Sequence, residues 1–170
     1  MNRYFLALLI VLLPSNAYPC SRTTPVDPAE MVRFADLIVV ARAVDYDRAP
    51  SDHRITTTGV PDSVVRFEID EWVKGKGPTS LSLHGYLSAA DDFNEITVPY
   101  TFVRKGGRSG SCFANSYREG GRFLLVLKLH KGAYNVDWYA LGPTNEQLHD
   151  GEDPWLVWVR TQVRVAQSPN

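Results

Sequence analysis

The chain has 170 residues, with 18 Lys and Arg against 19 Asp and Glu and a formal net charge of -1. So even a balance gives no basic surface to attract nucleic acid or an anionic membrane. After the first 13 residues no apolar run approaches transmembrane length, so a soluble product is expected.

The leading residues read as an export signal. Arg3 supplies a positive start, and the apolar run YFLALLIVLL is too short to span a bilayer but suits a signal-peptide core. Pro14 then breaks the helix, and Ser15-Asn16-Ala17 has the small-x-small pattern cut by a signal peptidase. Residues 1–17 are therefore expected to be removed, which leaves a secreted or periplasmic chain that begins at Tyr18. A lipoprotein modified at Cys20 is the lesser reading, because Tyr18 and Pro19 stand where small residues would precede such a cysteine.

Residues 18–170 amount to a single domain by size. The two cysteines of an exported chain, Cys20 and Cys112, pair most simply as one disulfide, two unpaired thiols being the alternative. Closing a loop of about 90 residues stabilises a fold by roughly 4 kcal/mol in the chain-entropy picture.

In chain order, Asp27 as cap, Pro28 at the first helical position and Glu30 three residues after the cap predict a short helix over Pro28–Phe34. Residues 37–46 (LIVVARAVDY) are rich in β-branched side chains and predict a central strand. Residues 47–62, with two prolines and a glycine, predict a long loop. Alternation over residues 63–73 sets Val65, Phe67, Ile69 and Val73 on one face and Arg66, Glu68 and Asp70 on the other.

A turn at KGKGP leads to a strand over residues 79–85, with Leu81 and Leu83 inward. Between residues 86 and 111 the signals weaken. A short strand near residues 95–98 is expected there, followed by the basic, glycine-rich RKGGRSGS, read as a flexible approach to Cys112. Residues 122–129 and 134–141 flank HKGA as a hairpin. Asp153-Pro154 caps a terminal helix whose Trp155, Leu156, Val159 and Val163 recur at helical spacing. About five strands and a helix at each end predict a mainly β fold, a small closed antiparallel barrel of the OB type with the C-terminal helix packed on it.

Catalytic signals are thin. His53, His84, His130 and His149 stand far apart, with no i, i+4 pair for a helical metal site. No G-x-S-x-G elbow, P-loop or dinucleotide fingerprint occurs. Asp91-Asp92, as neighbours on a strand, would point to opposite faces, and Glu68 and Asp70 fall on the wet face, whereas acid-base work requires a cleft. No enzyme activity, cofactor or intrinsic metal is expected. Trp72, Trp138, Tyr139, Trp155 and Trp158 read mainly as packing between barrel and helix. An exposed stacking platform that holds a carbohydrate or peptidoglycan is the alternative.

Cys20 near the mature start, FADLIVVARAV, VVRFEIDEWVKG, SGSC and EGGRFLLVL, in that order over about two thirds of the chain, resemble the netrin-like module. Within it they resemble the tissue inhibitors of metalloproteinases and their bacterial relatives. The resemblance implies an OB-type barrel with its leading segment pinned by a Cys20–Cys112 disulfide. It also implies an extracytoplasmic protein as partner, a zinc metalloprotease being the partner of the inhibitors. Carried over, the recognition wedge is Cys20, Ser21, Arg22 and Thr23, with Gly110, Ser111 and Cys112 beside it. In those inhibitors the α-amine and carbonyl of the first cysteine chelate the protease zinc. Here Arg22 stands where they carry a second cysteine. Cleavage after Ala17 leaves the nitrogen of Cys20 in an amide, which cannot chelate; Cys20 would ligate a partner's zinc only as the first residue.

Overall fold

The computed structural model describes residues 26–51, 60–108, 112–136 and 141–168. The first element is the helix expected from the sequence, α1 at Pro28–Phe34. Asp27 Oδ1 accepts from the backbone N–H of Ala29 at 2.9 Å and of Glu30 at 3.3 Å, satisfying two donors that a helix start leaves open. At its other end Lys74 Nζ donates to the carbonyls of Val32, Arg33 and Ala35 at 2.9, 2.8 and 2.7 Å. One ammonium thus satisfies three of the acceptors that a helix end leaves open.

Eight strands follow among the described residues: β1 at Leu37–Arg48, β2 at Val64–Lys74, β3 at Ser80–His84, β4 at Tyr86–Ser88, β5 at Ser116–Arg118, β6 at Arg122–His130, β7 at Ala133–Val136 and β8 at Asn145–Leu148. The helix α2, Pro154–Gln167, closes the order. The fold is mainly β with two helices. The main sheet runs β3-β2-β1-β6-β7, and β8 also pairs with β6. The N-terminal half of β6 meets β8, and its C-terminal half meets β7 across the Lys131-Gly132 turn. Lys131 and Gly132 have φ of 50° and 83°, the left-handed pair that a two-residue hairpin of right-handed twist requires. No ladder joins β3 to β7, so the described sheet is not a hydrogen-bonded closed barrel.

The apolar runs in β1 and β6 arise because both faces of these strands are buried. Leu37, Val39, Ala41 and Ala43 join Phe123, Leu125 and Leu127 of β6 in one core, together with Val65, Phe67, Leu81, Leu83 and Tyr117. Ile38 and Val40 face the other way with Leu124 and Val126, against Met31 and Val32 of α1 and Trp155, Leu156, Val159 and Val163 of α2. Trp155 is fully buried, and Trp158 stacks on it at 5.1 Å.

Four sequence expectations change. Val73 does not stay on the face of Val65 and Phe67. The register slips between Val40 and Ala41 and again between Ile38 and Val39, so Val73 packs with the helix-side core and Glu71 reaches Arg160 of α2 at 2.6 Å. No strand forms at residues 95–98, where Ile96 and Val98 pack singly against the helix-side core. The strand count rises from about five because β4, β5 and β8 are only three or four residues long. Of the predicted loop at residues 47–62, residues 47 and 48 continue β1 and residues 52–59 lie outside the described residues.

Candidate functional site

Of the candidate recognition residues, Cys20, Ser21, Arg22, Thr23, Gly110 and Ser111 lie outside the described residues, and Cys112 lies within them. Among the described residues there is no free cysteine. Cys112 is half-buried, with φ of 64°, and its carbonyl accepts from Leu141 N at 2.8 Å. The carbonyl of Leu141 in turn accepts from Val103 N at 2.8 Å. Leu141 therefore bridges the two arms of the loop that carries Cys112, and its side chain packs with Val103 and Ala114.

A buried polar cluster fastens that loop to the sheet. Arg104 is fully buried. Its Nε donates to Asp92 Oδ2 at 3.0 Å, Nη1 to the carbonyl of Asn145 and to Asn145 Oδ1 at 3.3 Å, and Nη2 to the carbonyls of Ala114 at 3.2 Å and Ser116 at 2.7 Å. The guanidinium also lies 5.6 Å from the ring centre of Tyr117 and 5.3 Å from that of Phe123. One planar cation thus ties the start of the Cys112 loop to its end and to β8, geometry that the five fixed donors of arginine suit.

Glu146, also fully buried, holds two more groups of the same segment. Its Oε1 accepts from Arg104 N at 3.2 Å and its Oε2 from Asn94 Nδ2 at 2.9 Å. Asn94 Nδ2 also donates to the carbonyl of Phe102 at 2.8 Å. Burial raises the Glu146 carboxyl from 4.5 to about 7, against the opposing pull of the Arg104 charge and these hydrogen bonds. Asn145 Nδ2 completes the cluster, reaching Tyr117 Oη at 2.9 Å and the carbonyl of Ala114 at 2.6 Å.

Of the glycine-rich RKGGRSGS, residues 104–108 are therefore a built part of the fold, and residues 109–111 lie outside the described residues. Residues 104–108 are anchored, and Lys105–Arg108 form a 3-10 turn. Gly107 is required there, because an added Cβ would lie 2.8 Å from Ala114 N and 2.8 Å from Val103 Cγ2. Asp92 accepts from Gly106 N through both oxygens at 3.1 Å, and Asp91 Oδ1 accepts from Gln147 Nε2 at 2.6 Å.

The remaining candidates do not converge. His84 Nδ1 is 2.8 Å from the carbonyl of Pro61, His149 stacks on Phe93 at 3.8 Å, His130 ends β6, and His53 lies outside the described residues. Asp70 is bonded to Arg42 and Arg122, and Glu68 to Arg66. Among the described residues no three His, Cys, Asp or Glu side chains are placed to hold a metal ion. Trp72 is 40% exposed and stands on β2, while Trp138 and Tyr139 lie outside the described residues. No described helix is long and apolar enough to cross a membrane.

Sequence reasoning missed Asn94, Arg104, Asn145 and Glu146. TNEQL looks like a polar tail, yet residues 144–148 are all buried. Its one usable signal is the turn pair Gly142-Pro143 directly before it, with no further glycine or proline until Gly151. No protein-family model and no curated protein matches the chain.

Proposed function

We propose that the chain is an exported, non-catalytic protein-binding module of the netrin-like type. A Cys20–Cys112 disulfide fastens its leading segment to the body as a rigid recognition edge. The observation that carries this reading is the anchoring of the Cys112 loop by fully buried Arg104 and Glu146. A tether transmits rigidity only if its attachment point is itself fixed, and a fixed edge loses little conformational entropy on binding.

An OB-type barrel is the architecture that fits. Pairing the two ends of the path β3-β2-β1-β6-β7 would close a five-stranded cylinder around the core of Phe67, Phe123 and Tyr117. The curl of the sheet supports this closure, since a Cβ on Gly77, in the turn before β3, would lie 3.5 Å from the ring of Tyr134 on β7. The wedge is Cys20, Ser21, Arg22 and Thr23, flanked by Gly110 and Ser111, and the partner is an extracytoplasmic protein. Inhibition of a zinc metalloprotease belongs to this reading only for a chain that begins at Cys20.

The test compares the oxidised exported protein with Cys112→Ser and with a Ser21→Arg, Thr23→Arg variant for capture of extracytoplasmic proteins. The expected result is a partner retained by the wild type and lost from both variants, with circular dichroism unchanged. Equal capture by all three chains overturns the wedge. Retention of glycan that depends on Trp72 or Trp138 would instead establish the carbohydrate-binding alternative.

A further inference from the structure

The even charge balance of the whole chain hides an uneven distribution. Neighbouring strands β2, β1 and β6 run antiparallel, so the end of β2, the start of β1 and the end of β6 come to one end of the molecule. There Ile38 stands opposite Lys74, and Leu37 opposite Leu127. The last turn of α1 joins them, because Lys74 and Lys128 both donate to its carbonyls. Gly75 and Gly77 press on the start of β1, where an added Cβ would lie 2.9 Å from the Asp36 carbonyl oxygen and 3.1 Å from Leu37 Cδ2. Lys76, between them, belongs to the same end. Residues 33–36, 74–77 and 128–132 thus bring Arg33, Lys74, Lys76, Lys128 and Lys131 together against the carboxylate of Asp36. The acids farther along the sheet, Asp45, Asp47, Glu68 and Asp70, each face an arginine.

Two large apolar side chains project from this basic end. Phe34 is 50% exposed and Leu129 52%. Both are fixed at the backbone: Lys128 Nζ donates to the Phe34 carbonyl, and Asp36 Oδ2 accepts from Leu129 N at 2.9 Å, with Asp36 3.7 Å from Lys128. The Arg33 guanidinium lies 4.5 Å from the centre of the Phe34 ring. Lys76 and Lys131 are exposed and form no ion pair among the described residues.

We propose that this end of the fold is a peripheral docking surface for an anionic lipid bilayer, with Phe34 and Leu129 dipping into the headgroup boundary and Arg33, Lys76 and Lys131 meeting lipid phosphates. Charge complementarity selects an anionic partner, and the two apolar side chains select a layered one. A bilayer offers phosphate at its surface and hydrocarbon just beneath, the order in which this end sets cations around apolar tips. Lysines act as flexible point charges and suit a fluid array of headgroups. A phosphate held in one geometry favours the planar fork of arginine, which this end supplies once, at Arg33.

The surface lies away from the Cys112 loop. Arg104, which anchors that loop, sits 5.3 Å from the ring of Phe123 near the start of β6. Leu129 is six residues further on, about 20 Å along the strand. Docking there leaves the loop clear of the lipid, and the inference rests neither on the proposed partner nor on the disulfide.

Co-sedimentation of the exported chain that begins at Tyr18 with vesicles of phosphatidylcholine, alone or with about one third phosphatidylglycerol, tests this. Starting at Tyr18 keeps the apolar leading run out of the measurement. Binding is expected to the anionic vesicles only, and should weaken at least about tenfold between about 0.05 M and about 0.5 M salt. Lys76→Gln combined with Lys131→Gln should weaken it about 25-fold, about fivefold for each charge removed. Phe34→Ser combined with Leu129→Ser should weaken it at least about tenfold with the salt dependence kept. Circular dichroism should be unchanged in both variants. Equal binding to neutral vesicles, or no binding to either kind, would overturn the proposal. So would binding that either double variant leaves within a factor of about two; loss with the lysines alone would mark a site for soluble polyanions instead. Should the Phe34 and Leu129 variant fail to fold, Leu129→Ser alone decides: a loss of at least about threefold supports the bilayer and a smaller one refutes it.

Discussion

Replacing Arg104 with Met tests how the Cys112 loop is held. The substitution keeps most of the apolar length of the side chain but removes a cation with no exposed surface. It strips one hydrogen bond each from Asp92 and from the carbonyls of Asn145, Ala114 and Ser116, of which the Ala114 carbonyl keeps Asn145 Nδ2 as a donor. It also leaves Asp92 without its counter-charge. Breaking one side of a buried ionic cluster costs about 3–5 kcal/mol, because the surviving charge stays buried.

Taking about 4 kcal/mol and a urea dependence of about 2 kcal/mol per molar, the unfolding midpoint should fall by about 2 M. Tryptophan fluorescence reads the transition, since Trp155 is fully buried in the helix-side core. Arg42→Met is the control. Arg42 pairs with Asp70 at 3.0 Å, but its side chain is 47% exposed, so its loss should cost less than about 1 kcal/mol. A midpoint shift for Arg104→Met no larger than the control would show that the loop is held by apolar packing and not by the guanidinium.

Other predictions follow from the same geometry. Gly85→Ala should destabilise by about 1–3 kcal/mol, read as a lowered urea midpoint, because its Cβ would lie 2.4 Å from Tyr117 Cε2 and 2.6 Å from the backbone oxygen of Asn115. Lys74→Met removes the ammonium shared by three carbonyls at the end of α1 and should cost about 1–2 kcal/mol, with loss of exchange protection concentrated in that helix. Burial pushes the Glu146 carboxyl from 4.5 up to about 7, so its contribution to stability is expected to be full below pH 4.5 and lost as pH rises to about 7. Urea unfolding at pH 5 and pH 8 should show that loss, up to about 3 kcal/mol, and Glu146→Gln should remove it.

What could be read from the sequence was governed by how local the physics is. The Asp27 and Asp153 caps and the α2 stripe from Trp155 to Val163 act within one or two turns, so α1 and the start of α2 were legible, whereas the end of α2 was not. The runs in β1 and β6 were legible as strands because burial on both faces demands unbroken apolar character. The side taken by Val73 was not, because two register slips intervene and no residue type announces them. The buried cluster was hidden for a stronger reason. Asn94 and Glu146 are 52 positions apart, and each alone looks like a solvated polar residue. Only when the fold brings them together does burial of both become tolerable.

The account rests most heavily on the link between the leading segment and the anchored loop. A non-reducing peptide map of the exported protein, alkylated before digestion, measures that link directly. The expected result is one cross-linked species joining the peptide of Cys20 to that of Cys112, with the chain starting at Tyr18 and no alkylated cysteine. Recovery of both peptides separately, each carrying the label, would contradict the tether.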